Sequence, residues 1–221
     1  MRELPAGPDA VLLDFATEPS PGSAVDEATA ALRHAVQSGA LPSVTDVIPS
    51  EHTVLVQAES GSGIDVLGVH RTLRTAHEMS AHAGTGTAVE IPVVYDGPDL
   101  ADVATQLGVA ADEVIRIHSE TVWRVQFMGF APGFGYLVPH KAPDHPFQDI
   151  GRRHESRHRV PDGSVAIAAG YSAVYPRESP GGWHLLGHTT MQMWDDSATP
   201  PAVLEPGALV RFVVTTDAVP S

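Results

Sequence analysis

Residues 163–195 read GSVAIAAGYSAVYPRESPGGWHLLGHTTMQMWD. Short apolar runs alternate here with glycine and proline, a pattern that predicts close-packed β-strands joined by tight turns. At its centre, Ser179-Pro180-Gly181-Gly182-Trp183 joins a rigid proline and two positions without side chains to the largest aromatic. Glycines allow another backbone or a ligand to come close, and a Trp beside them offers a flat wall with one N–H donor. A hairpin turn leading into a core Trp fits the same residues.

Working outward, Leu209–Thr215 after the Pro206-Gly207 turn reads as a last strand, and Thr121–Met128 as an earlier one. The loop Gly129-Phe130-Ala131-Pro132-Gly133-Phe134-Gly135-Tyr136 follows at once; it either presents rings or plugs a barrel end. Residues 138–160 are irregular and rich in Pro, His and Arg. Many short strands with Gly/Pro turns predict a closed barrel or sandwich. Two short helices precede them, Asp99–Leu107, capped by Asp99 and stopped by Gly108, and Ala111–His118.

The first 95 residues have a different texture. Ala10–Ala16 reads as a strand, Ser23 opens a helix with Asp26 in a capping box, and Val25, Ala28, Leu32, Ala35 and Val36 recur at helical spacing up to Gly39. Val44–Ile48 and Thr53–Ala58 are strands. A second helix begins near Ser62 with Asp65, carries the stripe Val66, Val69, Leu73, Ala76, and stops at Gly84. Ala88–Tyr95 is a fourth strand or the start of the next unit. The order β-α-β-β-α-β is the ferredoxin-like arrangement. The expected fold is therefore α+β, with a ferredoxin-like domain over 1–86 and a β-barrel domain over 87–221.

The 221 residues carry a formal charge of −14, which argues against a general affinity for nucleic acid. No apolar run approaches the roughly 18 residues of a membrane span. The N-terminus lacks the apolar centre of a signal peptide, and zero Cys excludes disulfides and thiolate chemistry. A cytoplasmic protein is expected. Against the acidic background, Arg152, Arg153, Arg157 and Arg159 crowd together, either to meet phosphate or a carboxylate-rich partner, or to pair with nearby acids as a solvated loop.

His154-Glu155-Ser156-Arg157-His158 fits H-E-x-x-H, but flanking arginines oppose a dication and Gly151 and Pro161 leave scant room for a helix, so no metal is expected. In a strand, His184 and His188 would lie about 13 Å apart, too far for one metal. His118, at a helix end, reads as an acid/base, a ligand donor or a simple C-terminal cap. Neither G-x-x-x-x-G-K-[ST] nor G-x-S-x-G occurs, and the sole lysine is Lys141. If the chain takes part in ATP-driven or amide chemistry, it supplies half a site and a partner the rest.

Three blocks keep a shared order and spacing: Gly129–Leu137 (GFAPGFGYL), Val160–Ala168 (VPDGSVAIA) and Tyr175–Trp183 (YPRESPGGW). With them the chain resembles the family of allophanate hydrolase subunit 1 and the 5-oxoprolinase B subunit, which also contains the sporulation-kinase inhibitor. The resemblance spans residues 10–215. It implies a ferredoxin-like domain followed by a cyclophilin-like barrel. It also implies a partner, a second subunit like allophanate hydrolase subunit 2 or the 5-oxoprolinase C subunit. It further implies ATP-dependent cleavage of an amide or lactam, 5-oxoproline above all or an allophanate-type substrate, with ATP bound by or with partner subunits. Phe130, Pro132, Gly133, Phe134, Tyr136, Gly170, Tyr175, Ser179, Pro180, Gly181, Gly182 and Trp183 match its motif positions, and His118 matches a histidine before the barrel strand. On this reading His118 and the Gly181-Gly182 backbone would polarise a carbonyl, and the aromatic residues would bind substrate and exclude water. The chain departs from the family at Ala169-Gly170-Tyr171-Ser172-Ala173, where Gly-Gly-Gln-Thr-Gly is common; if that Gln reads a substrate amide, Tyr171 alters its recognition. Gly135 replaces a usual Pro. The rival expectation is a regulatory protein that docks on a sensor histidine kinase; prolyl isomerisation would rest on the barrel shape alone.

Overall fold

The computed structural model describes residues 1–79, 88–142 and 144–216. The chain divides into two compact units, Met1–Gly84 and Thr85–Ser221. The expected helix stop at Gly84 and the expected boundary at 86/87 lie outside the described residues.

The first unit contains β1 (Arg2–Pro5), β2 (Ala10–Asp14), α1 (Pro21–Gln37), β3 (Val44–Pro49), β4 (Thr53–Ala58) and α2 (Val66–Met79). Its sheet runs β1-β2-β4-β3 with antiparallel pairs throughout. Leu13, Val25, Leu32, Val54, Val56 and Val69 form its core. Each such fully buried aliphatic contributes about 1.5–3 kcal/mol relative to exposure. Two helix starts differ from expectation. α1 begins at Pro21, because proline pre-sets the first helical φ, and Ser20 makes no side-chain cap. α2 begins at Val66, with Asp65 accepting from Gly68 N–H at 2.9 Å.

The expected fourth strand is not in this sheet. β5 (Val89–Val93) belongs to the second unit, paired in parallel with the last strand, and β1 holds the edge beside β2 instead.

The second unit continues with α3 (Leu100–Leu107), α4 (Ala111–Glu120), β6 (Trp123–Met128), β7 (Gly135–Pro139), a 3₁₀ turn at Pro146–Asp149, β8 (Arg157–Val160), β9 (Ser164–Ala168), β10 (Tyr171–Val174), β11 (Ser179–Gly181), β12 (His184–His188) and β13 (Leu209–Val214). Seven strands form one sheet in the order β12-β9-β10-β7-β6-β13-β5. Val94 and His188 exchange both backbone hydrogen bonds at 2.9 Å, and Gly97 N–H reaches Leu186 O at 3.0 Å. The two ends of the sheet thus nearly meet, giving a barrel-like closure. β8 and β11 pair separately as a small antiparallel ribbon.

Period-2 alternation divides this sheet into two apolar faces. Val165, Ile167 and Val174 join Trp123, Leu137 and Phe212 in one core, onto which Val103 of α3 and Val114 of α4 pack. Ala166, Ala168 and Ala173 face the other way, into a second cluster with Phe134, Tyr175 and Trp183. No helix of the described residues is long and apolar enough to cross a membrane.

Candidate functional site

The second cluster brings together the three sequence blocks. Phe134, from the loop between β6 and β7, meets Trp183 edge-on with ring centroids 5.7 Å apart and Tyr175 at 5.4 Å. Tyr136 lies 5.7 Å from Trp183 and 5.6 Å from Tyr171. The small residues Ala166, Ala168 and Ala173 are what leave room for rings over this face. Edge-to-face pairs of this kind each add about 0.5–1.5 kcal/mol beyond area burial.

These rings form a packed cluster and not an open pocket. Phe134, Tyr175 and Trp183 are buried, Tyr136 and Tyr171 half-buried, and only Phe130 stands out, 57 % exposed. Phe130 also adopts φ 64°, a left-handed conformation that costs a non-glycine residue energy and gathers at functional loops. Its ring remains 5.0 Å from Phe134, so the loop presents one ring outward on a base of buried ones. Exposed Pro132 and buried Gly133 complete that loop, which shares a cleft of about 500 Å³ with Trp194, Leu204 and Glu205.

Gly181 and Gly182 lie against Tyr175 and the segment that crosses over them. A Cβ on Gly181 would come 2.3 Å from the Tyr175 hydroxyl, and one on Gly182 would come 2.9 Å from Ser156 Oγ. Gly182 O accepts from Arg153 N–H at 2.8 Å, and the Trp183 N–H bonds the Tyr175 phenol. The bare backbone here admits the chain itself. Ser179 and Pro180 sit on β11, a short strand where a turn was one expectation. Gly170 occupies a two-residue hairpin with Ala169, both at positive φ, as a type I′ turn requires.

Tyr171 donates to Gln126 Oε1 at 3.0 Å, which fixes it on the outer face. Burial raises the Tyr175 phenol to about 12, opposed by the charges of Arg152 and Arg157. Burial likewise raises Tyr136, opposed by Arg152. In the sequence Arg152 stands out only as one of a basic cluster. The structure places its charge at the edge of the aromatic face.

His118 is not on that face. It is fully buried inside the barrel, stacked on Phe212 at 4.3 Å, on the side of β10 to which Ser172 points. Its Nδ1 lies 2.6 Å from Tyr95 OH and its Nε2 2.8 Å from Ser172 Oγ. One ring nitrogen donates and the other accepts, so both hydroxyls are satisfied. Burial first, with His145 nearby adding to it, lowers its pKa to about 3. The expected charged histidine at a helix end is thus a neutral one, because desolvation outweighs the helix C-terminus. The structure brings Gly181, Gly182 and the aromatic residues together and keeps His118 apart from them.

The H-E-x-x-H segment is extended: Arg157 and His158 lie in β8. Among the described residues no group of three His, Asp or Glu side chains is placed to hold a metal.

A mixed α+β chain on a nearly closed, cyclophilin-like barrel with an aromatic outer face is a recognisable class. More particularly, the chain belongs to the carboxyltransferase domain family, subdomain C and D, whose model matches residues 1–204. The B subunit of 5-oxoprolinase from Escherichia coli O157:H7 is 38% identical over 176 residues, covering 78% of this chain and 79% of that protein. The crystal structure of TTHA0988 matches 96% of this chain with a TM-score of 0.77 and 30% identity; this chain spans 41% of it. Kluyveromyces lactis urea carboxylase matches 97% of this chain, which spans 22% of it, with a TM-score of 0.68 and 18% identity, a likeness of fold alone.

Proposed function

We propose that this chain is one subunit of a cytoplasmic, hetero-oligomeric, ATP-dependent hydrolase that opens a small amide or lactam, 5-oxoproline in the first instance. Its partner is the second subunit of the same enzyme, of the 5-oxoprolinase C-subunit type. The observation that carries the reading is the convergence of Phe134, Tyr136, Tyr171, Tyr175 and Trp183 on one outer face with Phe130 projecting from it. The 38% identity to a 5-oxoprolinase B subunit supports the choice of substrate. The lactam would sit against the exposed ring of Phe130 and the cleft beside it, with the packed rings beneath closing that face to water and Gln126 holding half-buried Tyr171. On the same reading the first unit, Met1–Gly84, is a ferredoxin-like domain whose sheet has β1 in the outer place.

The starts of α3 and α4 do not suit a triphosphate. The first turn of α4 carries Asp112 and Glu113, that of α3 carries Asp102, and Asp99 precedes it. Carboxylates there oppose a triphosphate that would need free N–H groups. On the reading proposed here ATP is bound with or by the partner subunits.

The test is an ATP-coupled assay of the complex co-expressed with its second subunit, run on 5-oxoproline, urea and allophanate. The expected result is release of glutamate from 5-oxoproline alone. Turnover confined to urea or allophanate would overturn the substrate. A second reading, regulation of a sensor histidine kinase, is favoured by the exposed, strained Phe130 beside its cleft. It predicts that the complex forms and hydrolyses none of the three.

A further inference from the structure

Four arginines fall between positions 152 and 159 in a chain of net charge −14. Arg159 pairs with Glu178 at the surface. Arg153 and Arg157 behave differently. Arg153 Nη1 and Arg157 Nη2 both donate to one oxygen, Asp99 Oδ1, the second at 2.7 Å. Asp99 Oδ2 accepts from Leu185 N–H, also at 2.7 Å. The Asp99 side chain is 2% exposed, and those of Arg153 and Arg157 are 27% and 23% exposed.

One carboxylate therefore faces two guanidinium groups, and a half-buried positive charge is left over. Leaving such a charge uncompensated is expensive. The hydrogen bonding is incomplete in the same place. Among the described residues, Arg153 Nε and Arg157 Nη1 are buried without a partner, and so is His184 Nδ1. Buried polar atoms are nearly always paired, by protein, water or ligand. Leaving one unmade costs about 1–3 kcal/mol. His184 donates to the Gly151 carbonyl through Nε2, so Nδ1 of the neutral ring is an acceptor, and the two unpaired donors are those of Arg153 and Arg157. Arg153 N–H also donates to Gly182 O, tying the group to the stretch that leads into Trp183.

We propose that Arg153 and Arg157, held by Asp99, form a binding site for the carboxylate of a small-molecule ligand. A carboxylate brings one negative charge, which matches the single charge left over, and two oxygens that suit the fork geometry of guanidinium donors. A phosphate dianion would overcompensate it. Asp99 is the positioning residue: it sets both guanidinium groups and has no oxygen left for the ligand. The inference concerns binding and stands whether or not the chain belongs to a hydrolase.

The experiment is nitrogen-detected NMR of the arginine side chains in the full chain. The probes are 5-oxoproline, propionate, the neutral lactam 2-pyrrolidinone and inorganic phosphate. Either carboxylate should shift the Arg153 and Arg157 signals saturably, and 2-pyrrolidinone should bind at least tenfold more weakly than 5-oxoproline. Arg153→Lys and Arg157→Lys should each weaken carboxylate binding about tenfold, and Arg159→Lys should not. Thermal melting checks that the variants fold, and the wild-type titration decides the matter without them. Equal binding of 2-pyrrolidinone and 5-oxoproline, tighter binding of phosphate than of either carboxylate, or no shift with any probe overturns the proposal; the last result would mean that these atoms hold water.

Discussion

At the residue scale, His118 is a base that its surroundings keep neutral. Its folded pKa is about 3, against 6.5 for the free side chain. Between these values the unfolded chain takes up a proton that the folded chain refuses. The stability linked to this group is complete above about pH 6.5 and is lost as pH falls toward 3. The slope is about 1.4 kcal/mol per pH unit for one such group. His145 is also lowered by burial and adds to the trend. Urea midpoints measured from pH 7.5 to 4.5 should fall for the wild type, and fall less steeply for His118→Gln. Parallel profiles for the two proteins would mean that this imidazole is not the group being protonated.

At the element scale, the hairpin between β9 and β10 rests on Ala169 at φ 49° and Gly170 at φ 81°. A β-branched residue at the second position must enter a conformation it strongly disfavours. Gly170→Val should lower stability by about 1–2 kcal/mol, read from urea unfolding, and an unchanged midpoint would contradict the turn assignment. The same scale shows what can be read ahead of a structure. Gly39 and Gly108 were expected to stop their helices, and both have positive φ there. These are local signals. β1 escaped, because Arg-Glu-Leu-Pro contains one strong apolar residue and a proline, and becomes a strand only by pairing with β2. Asp99 read as a helix cap; it makes no such bond and anchors arginines 54 and 58 residues onward. The aromatic blocks were legible as blocks, since rings beside Gly and Pro stand out in any chain. Which face of β10 each residue takes was not, because Ser172, Ala173 and Val174 are all buried and the strand shows no polar–apolar alternation. His118, on α4, stacks on Phe212 beneath the sheet, a long-range contact that no local signal in the chain announces.

At the scale of the whole molecule, the barrel divides labour between its two sides. The interior, with Trp123, Phe212 and the Tyr95–His118–Ser172 chain of hydrogen bonds, is closed and satisfied. The outer face holds the buried rings, the projecting Phe130 and the arginine segment of an otherwise acidic chain. Function is assigned to that outer face. Phe130→Ala removes an exposed ring, a change that ordinarily moves stability by less than about 0.5 kcal/mol. An aromatic anchor lost from a binding surface costs about 1.4 kcal/mol or more, roughly tenfold in affinity or rate. The most direct measurement is therefore ATP-dependent turnover of 5-oxoproline by the complex with its second subunit, wild type against Phe130→Ala, with thermal melts alongside. The account predicts a loss of about tenfold or more in kcat/KM at an unchanged melting temperature; full turnover by the variant would contradict it.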